Sequence, residues 1–267
     1  MTLYQSIVIA IVEGLTEFLP VSSTGHMIIA ERLLHVTETD FVKVFTVAIQ
    51  LGAILSVIVL YWKKFFDFKK WHFYLKLSVA VIPALAIGFL FSDKIDALLE
   101  SPLTVATSLL AGGIILLFID RFFNHPVINE ESDISFGKAF IIGIWQCVAM
   151  IPGVSRSAAS IIGGMQQKLT RGLAAEFSFF LAVPTMAAAT GYKLLKTYKE
   201  HPEILSDKNN LFLLGLGNVV AFVVALLAIK FFISFLQKYG FKMFGWYRVI
   251  VGSILLILIL AGVKLEL

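Results

Sequence analysis

With 267 residues, 58% of them hydrophobic and only 15% charged, and a mean hydropathy of +0.88, the chain has too little polar surface to be dissolved by water. A soluble domain carries about 25% charged residues and about 45–50% apolar ones. The net charge of +4 reads as basic loops lying against an anionic membrane surface and not as a nucleic-acid-binding face. Cys147 is the only cysteine, which excludes an intrachain disulfide and a cysteine metal site.

In chain order, the first apolar stretch carries Glu13 and Glu17, and nothing basic precedes it, so it does not read as a cleavable signal peptide. It is broken at Pro20-Val21-Ser22-Ser23-Thr24-Gly25. Charge-free runs follow at Val44–Trp62, Leu77–Ser92 and Leu103–Ile119. A second interrupted stretch, Ala139–Ser155, leads into Pro152-Gly153-Val154-Ser155-Arg156-Ser157. Three more runs, Phe177–Tyr192, Leu211–Ile229 and Val249–Val263, complete the pattern. About 17–25 apolar residues cross the hydrocarbon core as helix. Six runs therefore read as transmembrane helices. Lys63, Lys64, Lys69 and Lys70 place their loop on the cytoplasmic side, and Asp93 to Glu100 reads as the outer loop.

An offset of 132 pairs Pro20 with Pro152, Ser23 with Ser155 and Phe45 with Phe177. The chain thus reads as one membrane domain built from two copies of a unit, about 1–132 and 133–267. Proline and glycine end a helix, and serine or threonine caps the next. Each unit is then a re-entrant helical hairpin, about 4–36 and 135–168, followed by three spans. Three is odd, so the second copy inserts upside down. The expected fold is all-α, an inverted-topology repeat with its two breaks face to face near the midplane.

Ionisable groups inside a membrane usually face a cavity and act there. Glu13 and Glu17 share a helical face, and Ser22, Ser23, Thr24 and His26 follow closely. Arg156, flanked by Ser155 and Ser157, is the only charge between Lys138 and Lys168. Its guanidinium and the helix N-terminus behind it suit phosphate oxygens. Glu13 and Glu17 could hold a hard cation such as Mg²⁺ together with substrate phosphates. These are the parts of a phosphoryl-transfer site. The nucleophile is open among Ser23, His26 and water. Tyr61, Trp62, Trp71, Trp246 and Tyr247 read as an interfacial aromatic belt. Glu176 and Arg171 read as an interfacial pair.

Glu13-Gly14-Leu15-Thr16-Glu17-Phe18-Leu19-Pro20-Val21-Ser22-Ser23-Thr24-Gly25-His26 resembles the first signature of the bacterial undecaprenyl-diphosphatases of the BacA bacitracin-resistance type. Pro152-Gly153-Val154-Ser155-Arg156-Ser157 resembles their second, and Ile49-Gln50-Leu51-Gly52, Ala174-Ala175-Glu176-Phe177-Ser178-Phe179, Ala182-Val183-Pro184 and Tyr247-Arg248 match as well. Ala158 and Lys168 stand where that family usually has glycine. The resemblance implies a multi-pass protein of the bacterial cytoplasmic membrane, with two re-entrant hairpins and six spans and a site opening to the outer face. It implies hydrolysis of undecaprenyl diphosphate to the monophosphate and inorganic phosphate, which recycles the carrier lipid for peptidoglycan synthesis and confers bacitracin resistance. It further implies Glu17, Ser23, His26 and Arg156 as catalytic residues. Ser22, Thr24, Ser155, Arg156 and Ser157 would bind the phosphates, and Glu13 and Glu17 a divalent cation, Mg²⁺ or Ca²⁺. A flippase for the lipid phosphate, using the same midplane site, is the alternative.

Overall fold

The structure, a computed structural model, describes residues 1–91 and 101–262; the acidic loop Asp93 to Glu100 lies outside them. Among the described residues, ten principal helices carry the fold. They are α1 (Leu3–Thr16), α2 (Ser23–Leu33), α3 (Asp40–Leu60), α4 (Trp71–Leu90), α5 (Pro102–Phe122), α6 (Phe136–Cys147), α7 (Arg156–Gln166), α8 (Arg171–Glu200), α9 (Lys208–Tyr239) and α10 (Lys242–Leu260). Short helical turns at Trp62–Phe65 and Pro202–Ser206 link α3 to α4 and α8 to α9. Among the described residues the only β pairing is an isolated bridge between Ile128 and Leu169.

Among the described residues, six helices are long and apolar enough to cross a membrane: α3, α4, α5, α8, α9 and α10. Their outer faces carry exposed Leu55, Ile82, Ile115, Val223 and Ile254, side chains that need hydrocarbon around them. The paired short helices are different. α1 has 14 residues and α6 has 12, so neither exceeds about 21 Å at 1.5 Å per residue, short of a core about 30 Å thick. α1 packs on α2, and α6 on α7.

Polar caps set most helix starts. Thr2 and Gln5 form a capping box at α1; Thr39, Ser101, Ser135, Thr170 and Asp207 cap α3, α5, α6, α8 and α9. The packing partners are reciprocal between the halves. α1 lies along α9 and α6 along α4, α3 contacts both α8 and α9, α8 contacts α4, and α5 pairs with α10. Glycines permit the closest crossings, since a Cβ on Gly52 would meet the Asn218 carbonyl and one on Gly143 the Ala80 carbonyl, both far inside contact distance. Two expected features differ. Arg171 does not pair with Glu176: its Nε donates to Asp120 Oδ1 at 2.7 Å, while Glu176 accepts from Lys64 Nζ at 3.0 Å. And the helix caps repeat at 133 residues, not 132, because Ser22 and not Ser23 holds the place of Ser155.

Candidate active site

Both breaks end in the same unusual residue. Ser22 (φ 74°) and Ser155 (φ 78°) lie in left-handed backbone that side chains rarely adopt. Each turns its Oγ into the following helix, accepting from Gly25 N and Ala158 N at 3.3 Å, so the strain is offset by a cap. Gly153 (φ 90°) passes so close to α5 that a Cβ would sit 2.6 Å from the Val105 carbonyl oxygen. Lys168 also has positive φ (68°), which explains why glycine suits that position.

Glu17 lies just past α1, facing α2 across the break. Ser23 Oγ donates to its Oε2 at 2.5 Å, and Arg156 Nη2 from the second break donates to its Oε1 at 2.9 Å. The other guanidinium nitrogen, Nη1, donates to Ser178 O at 3.0 Å and Oγ at 3.3 Å on α8, where Ser160 Oγ meets Ser178 Oγ at 2.6 Å. Phe18 lies under the guanidinium at 5.6 Å. Ser157 Oγ donates to Leu19 O at 2.8 Å, a direct tie between the breaks, and Ser155 Oγ touches the same carbonyl at 3.5 Å. Thr24, half-buried in the first turn of α2, takes no side-chain partner among the described residues.

His26 is held at both ring nitrogens, Nδ1 2.7 Å from Ser22 O and Nε2 2.6 Å from the Tyr247 hydroxyl. Tyr247 therefore serves the site and is not merely a belt aromatic. Its neighbour Arg248 is fully buried. It donates to Pro20 O (3.2 Å) in the first break, to Gly153 O (2.8 Å) and Val154 O (2.9 Å) in the second, and to Ser108 O (3.1 Å) and Leu109 O (3.4 Å) on α5. Gly112 leaves the slot for the fork, because a Cβ there would meet Arg248 Nη2. Ser178, Tyr247 and Arg248 lie within the matched segments and Ser160 outside them, but the motifs alone mark none of the four as a site residue. Arg248 had a usable signal: like Arg156, it is a lone charge in an apolar run, between Lys242 and Lys264.

Glu13 is completely buried against the Glu17 carboxyl, and neither of its oxygens accepts a hydrogen bond from an N–H or hydroxyl group. Arg156 Nε is likewise unpaired. Among the described residues, four buried side-chain polar atoms lack a partner, and three belong to this cluster; the fourth is Gln146 Oε1. Native proteins leave few such atoms unpaired, so their concentration here marks a place suited to a polar ligand. Two adjacent carboxylates and nearby hydroxyls make an all-oxygen donor set that fits a hard cation. No group of three or more His, Cys, Asp or Glu that could hold a metal occurs among the described residues, so a cation would draw its remaining ligands from hydroxyls and substrate.

Comparison with known proteins agrees with the site. Residues 6–254 match the family described as Bacitracin resistance protein BacA. The chain is 60% identical to the undecaprenyl-diphosphatase of Flavobacterium psychrophilum, over 97% of this chain and 96% of that one. It is 53% identical to that of Porphyromonas gingivalis, over 99% of both chains, and 45% identical to that of Campylobacter jejuni, over 97% and 95%. Identity at this level over nearly the whole length, in a chain that joins both polar breaks around one buried carboxylate–arginine pair, establishes that the protein belongs to the BacA bacitracin-resistance family.

Proposed function

We propose that the chain hydrolyses undecaprenyl diphosphate to undecaprenyl phosphate and inorganic phosphate, returning the carrier lipid to peptidoglycan synthesis. The relatives' names support the reaction, and the observation that carries it is the set of unpaired buried atoms on Glu13 and Arg156 beside the Glu17–Ser23 pair. A diphosphate brings the acceptor oxygens that Arg156 Nε lacks. Glu13 and Glu17 would hold Mg²⁺ or Ca²⁺, which when bound supplies neutralising charge for the phosphates.

Of the candidate nucleophiles, Ser23 has the best geometry, since its hydroxyl already donates to a carboxylate that Arg156 orients. In the proposed course Ser23 Oγ attacks the terminal phosphorus and its proton passes to Glu17 Oε2. The bond from that phosphorus to the bridging oxygen breaks, and the lipid monophosphate leaves with the oxygen. Water then attacks the phosphoserine, giving inorganic phosphate and restoring the serine. Arg156 and the free N–H groups opening α2 and α7 hold the phosphate oxygens, with Ser22, Thr24, Ser155 and Ser157 around them. Both ring nitrogens of His26 are taken in the resting site, so His26 handles a proton more readily than it attacks phosphorus.

The fold behind this is read as an inverted repeat with re-entrant hairpins. The reciprocal packing of α1 on α9 and α6 on α4 supports it. So do Ser22 and Ser155, and Glu13 and Gln146, buried residues that correspond at the 133-residue spacing. The loop bearing Lys63, Lys64, Lys69 and Lys70 would face the cytoplasm of a bacterial inner membrane, with the site open to the outer side.

The test is phosphate release from undecaprenyl diphosphate by purified protein in detergent micelles, with Mg²⁺, with Ca²⁺ and with chelator. Release that needs the cation supports the whole reading. Release indifferent to chelator removes the cation from it. No release under any condition would leave transport of the lipid phosphate as the better reading, since micelles permit hydrolysis but no transport.

A further inference from the structure

The last helix brings Tyr247 and Arg248 side by side to the breaks, and the tyrosine has a job that the proposed reaction does not yet use. His26 Nδ1 lies 2.7 Å from the Ser22 carbonyl. A carbonyl only accepts, so Nδ1 carries the proton and the lone pair of the neutral ring is on Nε2. That lone pair faces the Tyr247 hydroxyl at 2.6 Å, with the two rings stacked at 5.5 Å and 12°. The phenol therefore donates. Having lone pairs of its own, it can also accept once Nε2 has gained a proton, so it pairs the ring in either state. Its place is fixed from behind. Arg248 spends all five of its N–H donors on carbonyls of α5 and the two breaks, and α10 is seated on α5 at Gly113, Gly245 and Gly252, where a Cβ would collide.

We propose that Tyr247 is the positioning residue for His26, holding the ring with Nδ1 on the Ser22 carbonyl and Nε2 bare as a proton acceptor. This rests on the reading of the breaks as the diphosphate site and adds to it a route for the second step. The phenol O–H stands where the O–H of an attacking water can stand. Tyr247 is 44% exposed, and in this step water takes the place of its O–H at Nε2. Water then donates to Nε2; as its oxygen bonds to the phosphorus of the phosphoserine, its proton moves to Nε2, the P–O bond to Ser23 breaks and the Ser23 oxygen takes back the proton held on Glu17 Oε2.

Two measurements test this. Nitrogen-15 spectra of histidine-labelled protein in detergent, with His26 assigned by its loss in His26→Gln, read the ring directly. The expected state is protonated Nδ1 and bare Nε2, with Tyr247→Phe shifting the Nε2 resonance and mixing in the other tautomer. A protonated Nε2 in the wild type, or a resonance that ignores Tyr247→Phe, overturns the proposal. The second measurement is a double-mutant cycle on phosphate release. Tyr247→Phe should lower kcat about tenfold with KM within about twofold, as the loss of one hydrogen bond predicts. In the His26→Gln background the same change should cost less than about twofold. Equal losses in both backgrounds place Tyr247 on the substrate or the scaffold and overturn the proposal. Because the spectra need no turnover, a protein that releases no phosphate would refute the site reading and still leave the positioning role decided.

Discussion

Arg248→Met removes a guanidinium that bonds five carbonyls while still filling the space between α5 and α10. The carbonyls of Ser108 and Leu109 lie in α5 and retain their places in a helical ladder. Those of Pro20, Gly153 and Val154 lie in the breaks and have no ladder to fall back on. Leaving each of the three unpaired costs about 1 kcal/mol at the low end, about 3 kcal/mol together. Counting all five bonds at about 0.6 kcal/mol, an average for side-chain bonds between membrane helices, arrives at about 3 kcal/mol as well. That is roughly a hundredfold in an equilibrium constant. Denaturation of the variant by sodium dodecyl sulfate in mixed micelles, followed by helical circular dichroism, should show stability lower by this amount, with phosphate release reduced in parallel. A loss below about 1 kcal/mol would refute the reasoning, because the break carbonyls would then be satisfied without Arg248.

Arg156→Ala should lower turnover by at least about a hundredfold, the scale of losing a transition-state donor, in protein that still purifies folded; near-normal turnover would remove the clamp role. Glu17→Gln keeps the size of the side chain but cannot take the Ser23 proton, so turnover should fall by about 10²–10⁴, and full activity would exclude Glu17 as base. At the lysine-bearing end, burial raises the pKa of Glu131 above its ordinary value, a rise strengthened by Glu176 and opposed by Lys64, Lys70 and Lys76. A raised carboxyl favours folding in its protonated form, and that contribution is lost as pH climbs through the folded pKa. Glu131→Gln should therefore raise the unfolding midpoint at pH 7, with the gain vanishing below the ordinary value of about 4.5; an unchanged midpoint at pH 7 would contradict this sign.

Much of the scaffold is legible in the sequence because apolar length and helix punctuation are local properties. Pro20 and Pro152-Gly153 announced the breaks, and Ser155 announced a cap. The isolated charges Glu13, Glu17 and Arg156 announced burial, and all three are buried or nearly so. What stayed hidden depends on partners distant in the chain. Arg171 finds Asp120 and Lys64 finds Glu176, choices that spacing along one helix could not reveal. Ser160 and Ser178 look like ordinary small residues of apolar helices until Arg156 arrives between α7 and α8. Tyr247 and Arg248 follow Trp246 near the start of a span, where aromatic and basic residues normally meet headgroups. Only the glycine-lined approach of α10 to α5 turns them inward. Motif matching likewise cannot tell which of Ser22 and Ser23 takes the left-handed turn that Ser155 takes in the second break.

The exchange of partners between α1 and α9, and between α6 and α4, makes the two halves mutually dependent scaffolds. A gene cut in the loop ahead of Phe136 would encode two fragments, each holding one broken stretch whose main support resides in the other. Neither should be a competent folding unit, yet produced together they have every surface needed to reassemble. Arg248 would then act as the keystone of the rejoined protein, contributed by one fragment and locking a turn of the other.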